Sequence, residues 1–264
     1  MSNNREANIR YHTALASSYD ETQPHMSAEN TARVRKLLEK YAAKHGNRDL
    51  LDIGCGTGYI LRVAVPLFRH VIGIDVTPAM LAKARTIHGV EAVVEAPGDN
   101  LPFIDNSFDV ITAYGFLHHL DDLLPTLREA RRCLKPNGIF YSDQDPNYYC
   151  WTALRGLDEP GVLNREVESV TGVANVVKDR YNIPIAVTEA AEHHKFHGDA
   201  LRENKLRDTF IKAGFGEVKI TYIWFLRQGT VVNKEVAEEV HRVLTELLPL
   251  SRPLFKYIMI EAVK

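Results

Sequence analysis

Between residues 27 and 45, apolar side chains recur every three or four positions: Val34, Leu37, Leu38 and Tyr41. That spacing is one face of an amphipathic helix, with Ser27 placed to cap its start and Gly46 to end it. The period then changes. Residues 50–53 are a short apolar run closed by glycines, and a helix-like stretch covers 59–68. A second short run, 71–75, precedes Thr77-Pro78 and a helix reaching about residue 87, with proline suited to the first helical position. The alternation continues with strands at 91–96 and 108–113, a helix over 121–134, a Lys135-Pro136-Asn137-Gly138 turn and a strand at 139–142. A helix at 200–213, a strand at 217–225, a helix at 234–247 and a last strand at 255–263 follow. Short apolar strands alternating with helices predict βαβ units around a buried, mostly parallel sheet. Residues 146–199 break the rhythm; their pattern is mixed and rich in Tyr and His.

Composition narrows the class without changing the fold. The 264 residues are 45% hydrophobic and 25% charged, an ordinary globular profile. They favour one domain over 1–264, with a helical cap at 1–45 and lid insertions at 146–199 and 229–252. Lys and Arg total 32 against 34 Asp and Glu, a net −2. That argues against a surface built for nucleic acid or an anionic membrane. Cys55, Cys133 and Cys150 are odd in number and widely spaced, so neither a disulfide framework nor a zinc knuckle is expected. The start carries no apolar leader, and no apolar run approaches the ~18 residues of a membrane span. The expectation is a cytoplasmic protein, monomeric or homodimeric, with a small-molecule partner.

Chemistry concentrates at Leu51-Asp52-Ile53-Gly54-Cys55-Gly56-Thr57-Gly58, followed by a second strand ending in Asp75. Alternate glycines let the chain turn sharply and let a ligand approach the backbone. A carboxylate at the tip of the neighbouring strand can accept both hydroxyls of a ribose. The dinucleotide pattern G-x-G-x-x-G needs glycine at 59, where Tyr59 stands. The G-x-G-x-G spacing instead resembles motif I of the class I S-adenosylmethionine-dependent methyltransferases, in their ubiquinone-biosynthesis-like branch. Asp99-Asn100-Leu101 resembles the family's adenine-side segment, and Tyr114 to His119 the loop after strand four. Lys135 to Gly138 resembles the turn before strand five. Tyr11-His12 and Tyr19-Asp20 resemble an amino-terminal segment that closes over the cofactor.

The resemblance implies a three-layer α/β sandwich with a seven-stranded sheet, its last strand antiparallel. It implies methyl transfer from S-adenosylmethionine to a small molecule. It assigns the cofactor to Tyr11, Tyr19, Asp52, Gly54, Cys55, Gly56, Gly58, Asp75, Val76, Met80, Asp99, Asn100, Leu101, Tyr114 and Phe116. An acceptor pocket would draw on Phe116, His118, Asn147, Tyr148, Tyr149 and Tyr181, with His119 and Tyr149 as catalytic candidates. Asp52 would meet the donor's ammonium or merely orient the glycine loop; Thr77 and Asp20 read as helix caps. His118 and His119 are adjacent and point apart, so one could serve as a base while the other packs. His193 and His197 are four apart, the spacing of one helical face, yet a solvated or substrate-lining cluster is favoured and no metal is expected. Two other readings stay open: intramolecular cyclisation of the cofactor with release of methylthioadenosine, and a non-catalytic cofactor-binding subunit.

Overall fold

The structure is a computed structural model that describes residues 3–44 and 49–264; Gly46, the expected helix stop, lies outside the described residues. The amino-terminal segment folds as α1 (Asn3–Leu15), α2 (Tyr19–Thr22) and α3 (Ala28–Lys44). Ser27 caps the last of these, its Oγ accepting from the Asn30 N–H at 3.3 Å. The sheet portion runs β1 (Asp49–Ile53), α4 (Tyr59–Ala64), β2 (His70–Asp75), α5 (Pro78–Ala84), β3 (Ala92–Glu95), β4 (Phe108–Tyr114), α6 (Leu123–Cys133) and β5 (Leu134–Pro146). Five short helices follow: α7 (Tyr148–Arg155), α8 (Asn164–Thr171), α9 (Val173–Tyr181), α10 (Ile185–Ala191) and α11 (His193–Phe196). The chain then returns through α12 (Glu203–Ala213), β6 (Glu217–Phe225), α13 (Lys234–Glu246) and β7 (Phe255–Val263).

Seven strands lie in the order β3-β2-β1-β4-β5-β7-β6. The first five are parallel, and β7 is antiparallel to both β5 and β6. Every residue of β4 is buried, as befits a central parallel strand covered on both faces. One sheet face packs on α6 and α12 through Leu127, Phe140 and Phe210. The other packs on α3 and α4 through Leu38, Tyr41 and Leu61. The turn expected at 135–138 is absorbed into β5, where Leu134 already pairs with Phe108.

The segment that broke the rhythm is helical throughout. Its α9 and α10 form a separate small core with α1, from Ala7, Tyr11 and Leu15 on one side and Val177, Ile183 and Ala191 on the other. Asn4 Nδ2 ties the pair by donating to the Ala190 carbonyl at 2.7 Å. Helix α1 and the α9–α10 part of the insertion therefore form one body at the carboxyl ends of the strands, while α3 packs on the sheet face.

Candidate functional site

The first turn after β1 is built by glycine because nothing larger fits. Gly54 has φ +70°, and a Cβ there would stand 2.2 Å from the Phe116 ring. The turn brings the Gly56 N–H to Asp75 Oδ2 at 3.0 Å, while the Thr77 N–H donates to Oδ1 at 2.8 Å. Two backbone donors thus fix the Asp75 carboxylate at the tip of β2, leaving its other lone pairs for a ligand. A cleft of about 360 Å³ opens here, beside the point where the strand order reverses between β1 and β4.

Ten of the residues singled out in the sequence border this cleft. Gly54, Gly56, Asp75, Val76 and Met80 form one wall, and Asp99 stands beyond β3. Tyr114, Phe116 and His119 follow β4, and Tyr19 comes from the amino-terminal body. The sequence did not single out Asn4, Arg5 and Asn8, which complete the roof. Arg5 donates twice to Asp99, at 2.8 and 2.7 Å, and Asn8 Nδ2 donates to the His119 carbonyl at 3.3 Å. Their only sequence signal was the segment's likeness to a closing helix, which marked the aromatic residues and not these polar ones.

Several expected ligands stand elsewhere. Asp52 points into the sheet's interior, where Thr112 Oγ1 donates to it at 2.6 Å; burial pushes its carboxyl up to about 7. Cys55 is buried behind the turn, and burial raises its thiol well above the usual range, which leaves it unreactive. A Cβ on Gly58 would meet Ile87, not the cleft. Asn100 and Leu101 lie outside the cleft lining; the Leu101 N–H donates to Glu129 at 2.9 Å. Tyr11 packs in the α1–α10 core. Neither assigned cap works through its side chain: the Thr77 hydroxyl is buried without a partner, and Asp20 accepts from Thr57 Oγ1 at 2.5 Å.

The proposed acceptor residues are mostly framework. Asn147 caps α7 and donates to the Arg252 and Phe255 carbonyls. Tyr148 lies under Arg202, and Tyr149 under Arg252 with its ring packed on the sheet core. Tyr181 shares a 2.7 Å hydrogen bond with Ser18. None of the four borders the cleft, so Tyr149, expected to act in catalysis, stands away from it. The rings at this end are His12, Tyr19 and His119 instead, with His12 and His119 centroids 4.9 Å apart.

Behind His119 lies a buried polar cluster. The Ala191 carbonyl can only accept, so His119 Nδ1, 2.7 Å away, carries the hydrogen and Nε2 the lone pair. Burial holds this imidazole well below its usual value, hence neutral. His118 Nδ1 lies 2.9 Å from Asp145 Oδ1, and its Nε2 lies 3.2 Å from Glu192 Oε2. Glu192 also meets the Lys195 ammonium. His193 and His197 do not converge: their ring centroids are 6.3 Å apart, and His197 faces Glu189 at 3.7 Å.

Comparison with known proteins bears on part of the chain. Residues 51–142 match the family described as a methyltransferase domain. This region thus resembles a methyltransferase domain, and the sheet has the class I methyltransferase fold. An uncharacterized methyltransferase of Bacillus subtilis, YcgJ, is 35% identical over 120 residues, 42% of this chain and 47% of its own length. The demethylmenaquinone methyltransferase of Staphylococcus saprophyticus is 33% identical over 132 residues, 47% of this chain and 56% of its own. The chain thus spans about half the length of these relatives. The fold is similar over its whole length to a phosphoethanolamine N-methyltransferase of Haemonchus contortus solved with S-adenosyl-L-methionine. The TM-score there is 0.60 at 16% identity, over 60% of that chain. A methyltransferase of Thermotoga maritima aligns over 96% of this chain and 99% of its own, with TM-score 0.55 and 20% identity. Within the matched residues fall the glycine turn, Asp75 and Asp99. His12, Tyr19 and the helical insertion fall outside it. No described helix is long and apolar enough to cross a membrane.

Proposed function

We propose that the protein binds S-adenosylmethionine in this cleft and transfers its methyl group to a small-molecule acceptor. One observation carries the reading: Asp75, fixed by the Gly56 and Thr77 N–H groups, opens into the same cleft as His119 at its far end. The fit is supported by the close approach that Gly54 permits, where any Cβ would fill the cradle, and by the unpartnered Thr77 hydroxyl beside it. Asp75 would hold the ribose hydroxyls and Asp99 the adenine edge, the backbone of Gly54 and Gly56 lying against the amino-acid portion. When bound, the cofactor supplies an electrophilic methyl group on a sulfonium. The chain's own part is alignment and exclusion of water, which together can supply several kcal/mol of the barrier. Tyr19, whose ring borders the cleft, can turn its face to that cationic end, a contact worth ~0.5–2 kcal/mol. His119, neutral with its Nε2 lone pair available, can take a proton from an acceptor that carries one.

The test combines binding with product analysis. Calorimetry should find one S-adenosylmethionine site, weakened about ten- to hundredfold in Asp75→Ala, the value of a hydrogen bond to a charged group. With methyl-labelled donor and a panel of hydroxyl, amine and carboxylate acceptors, label should enter an acceptor, with S-adenosylhomocysteine as coproduct. Unchanged donor affinity in folded Asp75→Ala, or methylthioadenosine formed from protein and donor alone, would overturn the proposal.

A further inference from the structure

We propose that His118, His119 and Glu192 form a divalent transition-metal site at the acceptor end of the cleft. Each residue can bring one ligand atom within 4.8 Å of the others. Two histidines and one carboxylate are a donor set suited to zinc, cobalt or iron. The spacing is already close for one pair: His118 Nε2 and Glu192 Oε2 are 3.2 Å apart, near the ~3.3 Å separating neighbouring ligands of a tetrahedral zinc.

The hydrogen bonding behind the cluster fixes one of its rings. Asp145 Oδ1 lies 2.9 Å from His118 Nδ1 and also accepts the His118 backbone N–H at 3.0 Å. Its other oxygen accepts from Ser142 Oγ at 2.6 Å. This carboxylate holds the ring by Nδ1, as carboxylates behind metal-bound histidines do. His118 Nε2 is thereby turned toward Glu192 Oε2, the oxygen that also meets the Lys195 ammonium. A His119 nitrogen stands near as the third donor. Three protein ligands leave a coordination position open, and His119 is the member that borders the cleft.

Lys195 is the built-in competitor. Its ammonium lies against Glu192 and neutralises the carboxylate when no ion is present, so a metal must displace it. Metal binding stands by itself. Its use, holding an acceptor oxygen or nitrogen on the open position with His119 as ligand in place of base, rests on the methyltransferase reading.

The experiment titrates the full chain with Co(II), read by visible absorption, and with Zn(II) by competition. One Co(II) per chain with a tetrahedral spectrum is expected, abolished in Glu192→Gln. Lys195→Met should bind about tenfold more tightly, a change of ~1.4 kcal/mol. Donor calorimetry on the same samples reports the cleft separately, so loss of metal with intact donor binding is distinguishable from failure of the methyltransferase reading. Absence of Co(II) binding in the wild type would overturn the proposal. So would Glu192→Gln that binds as the wild type does, or Lys195→Met that binds no more tightly. Should Glu192→Gln fail to fold, the wild-type spectrum and Lys195→Met decide.

Discussion

Asp52 and Asp75 show how two carboxylates in one motif come to different ends. Asp75 ends its strand, so its side chain leaves the sheet edge and meets the cleft. Asp52 lies one residue before the end of β1. Strand alternation sets it opposite Leu51 and Ile53, which face the α6 and α12 side, and leaves it buried beside Thr112. The spacing of the glycines and of Asp75 was legible because it is local and covalent. The fate of Asp52 needed the neighbouring strand: its partner Thr112 is directly across from it in the parallel register. Burial raises this carboxyl from 3.8 to about 7, so the folded state binds a proton that the unfolded state has released. Stability should therefore fall as pH rises between those values, by at most ~1.4 kcal/mol per unit. Asp52→Asn should remove that slope. Denaturant melts of both proteins at pH 5 and pH 8 test it; parallel losses would refute it.

At the scale of elements, the sheet was readable and the roof was not. Strands β6 and β7 fall where the apolar runs put them, at Glu217–Phe225 and Phe255–Val263. The helices over the cleft escaped because α8, α10 and α11 bury only one or two residues each, too few for a period to register. In α1 the buried apolar stripe is Ala7, Tyr11 and Leu15 in an otherwise polar helix. Such elements are held by each other, not by propensity. Ile183 is 5% exposed in their shared core, and Ile183→Ala should cost that core about 2–5 kcal/mol. Hydrogen exchange should then speed up in residues 3–15 and 173–191 together, while β1 and β4 keep their protection. Acceleration confined to one of the two segments would show that they open independently. Tyr148, Tyr149 and Tyr181 misled for the same reason: position after β5 was visible, whereas the arginines and Ser18 that claim these rings come from distant chain.

For the molecule as a whole, the cleft is closed by chain from both sides of the domain, so ligand and fold are thermodynamically linked. At a hundred times its dissociation constant, S-adenosylhomocysteine should stabilise the folded state by ~2.7 kcal/mol, a rise of roughly 5–10 °C in melting temperature for a chain of this size. A thermal melt that ignores the ligand would count against the cleft as its site. The strand order carries a different consequence, for the chain as it is being made. Because β7 lies between β5 and β6, the two strands synthesised earlier have no direct contact to share. As residues leave the ribosome in order, β5 presents a bare edge and β6 stays without a partner until 255–263 emerge. Unpaired edges are templates for pairing with another chain, and non-local strand pairing is slow. The nascent protein is thus most exposed to mispairing just before its final strand is released, and a translational pause there would prolong that interval.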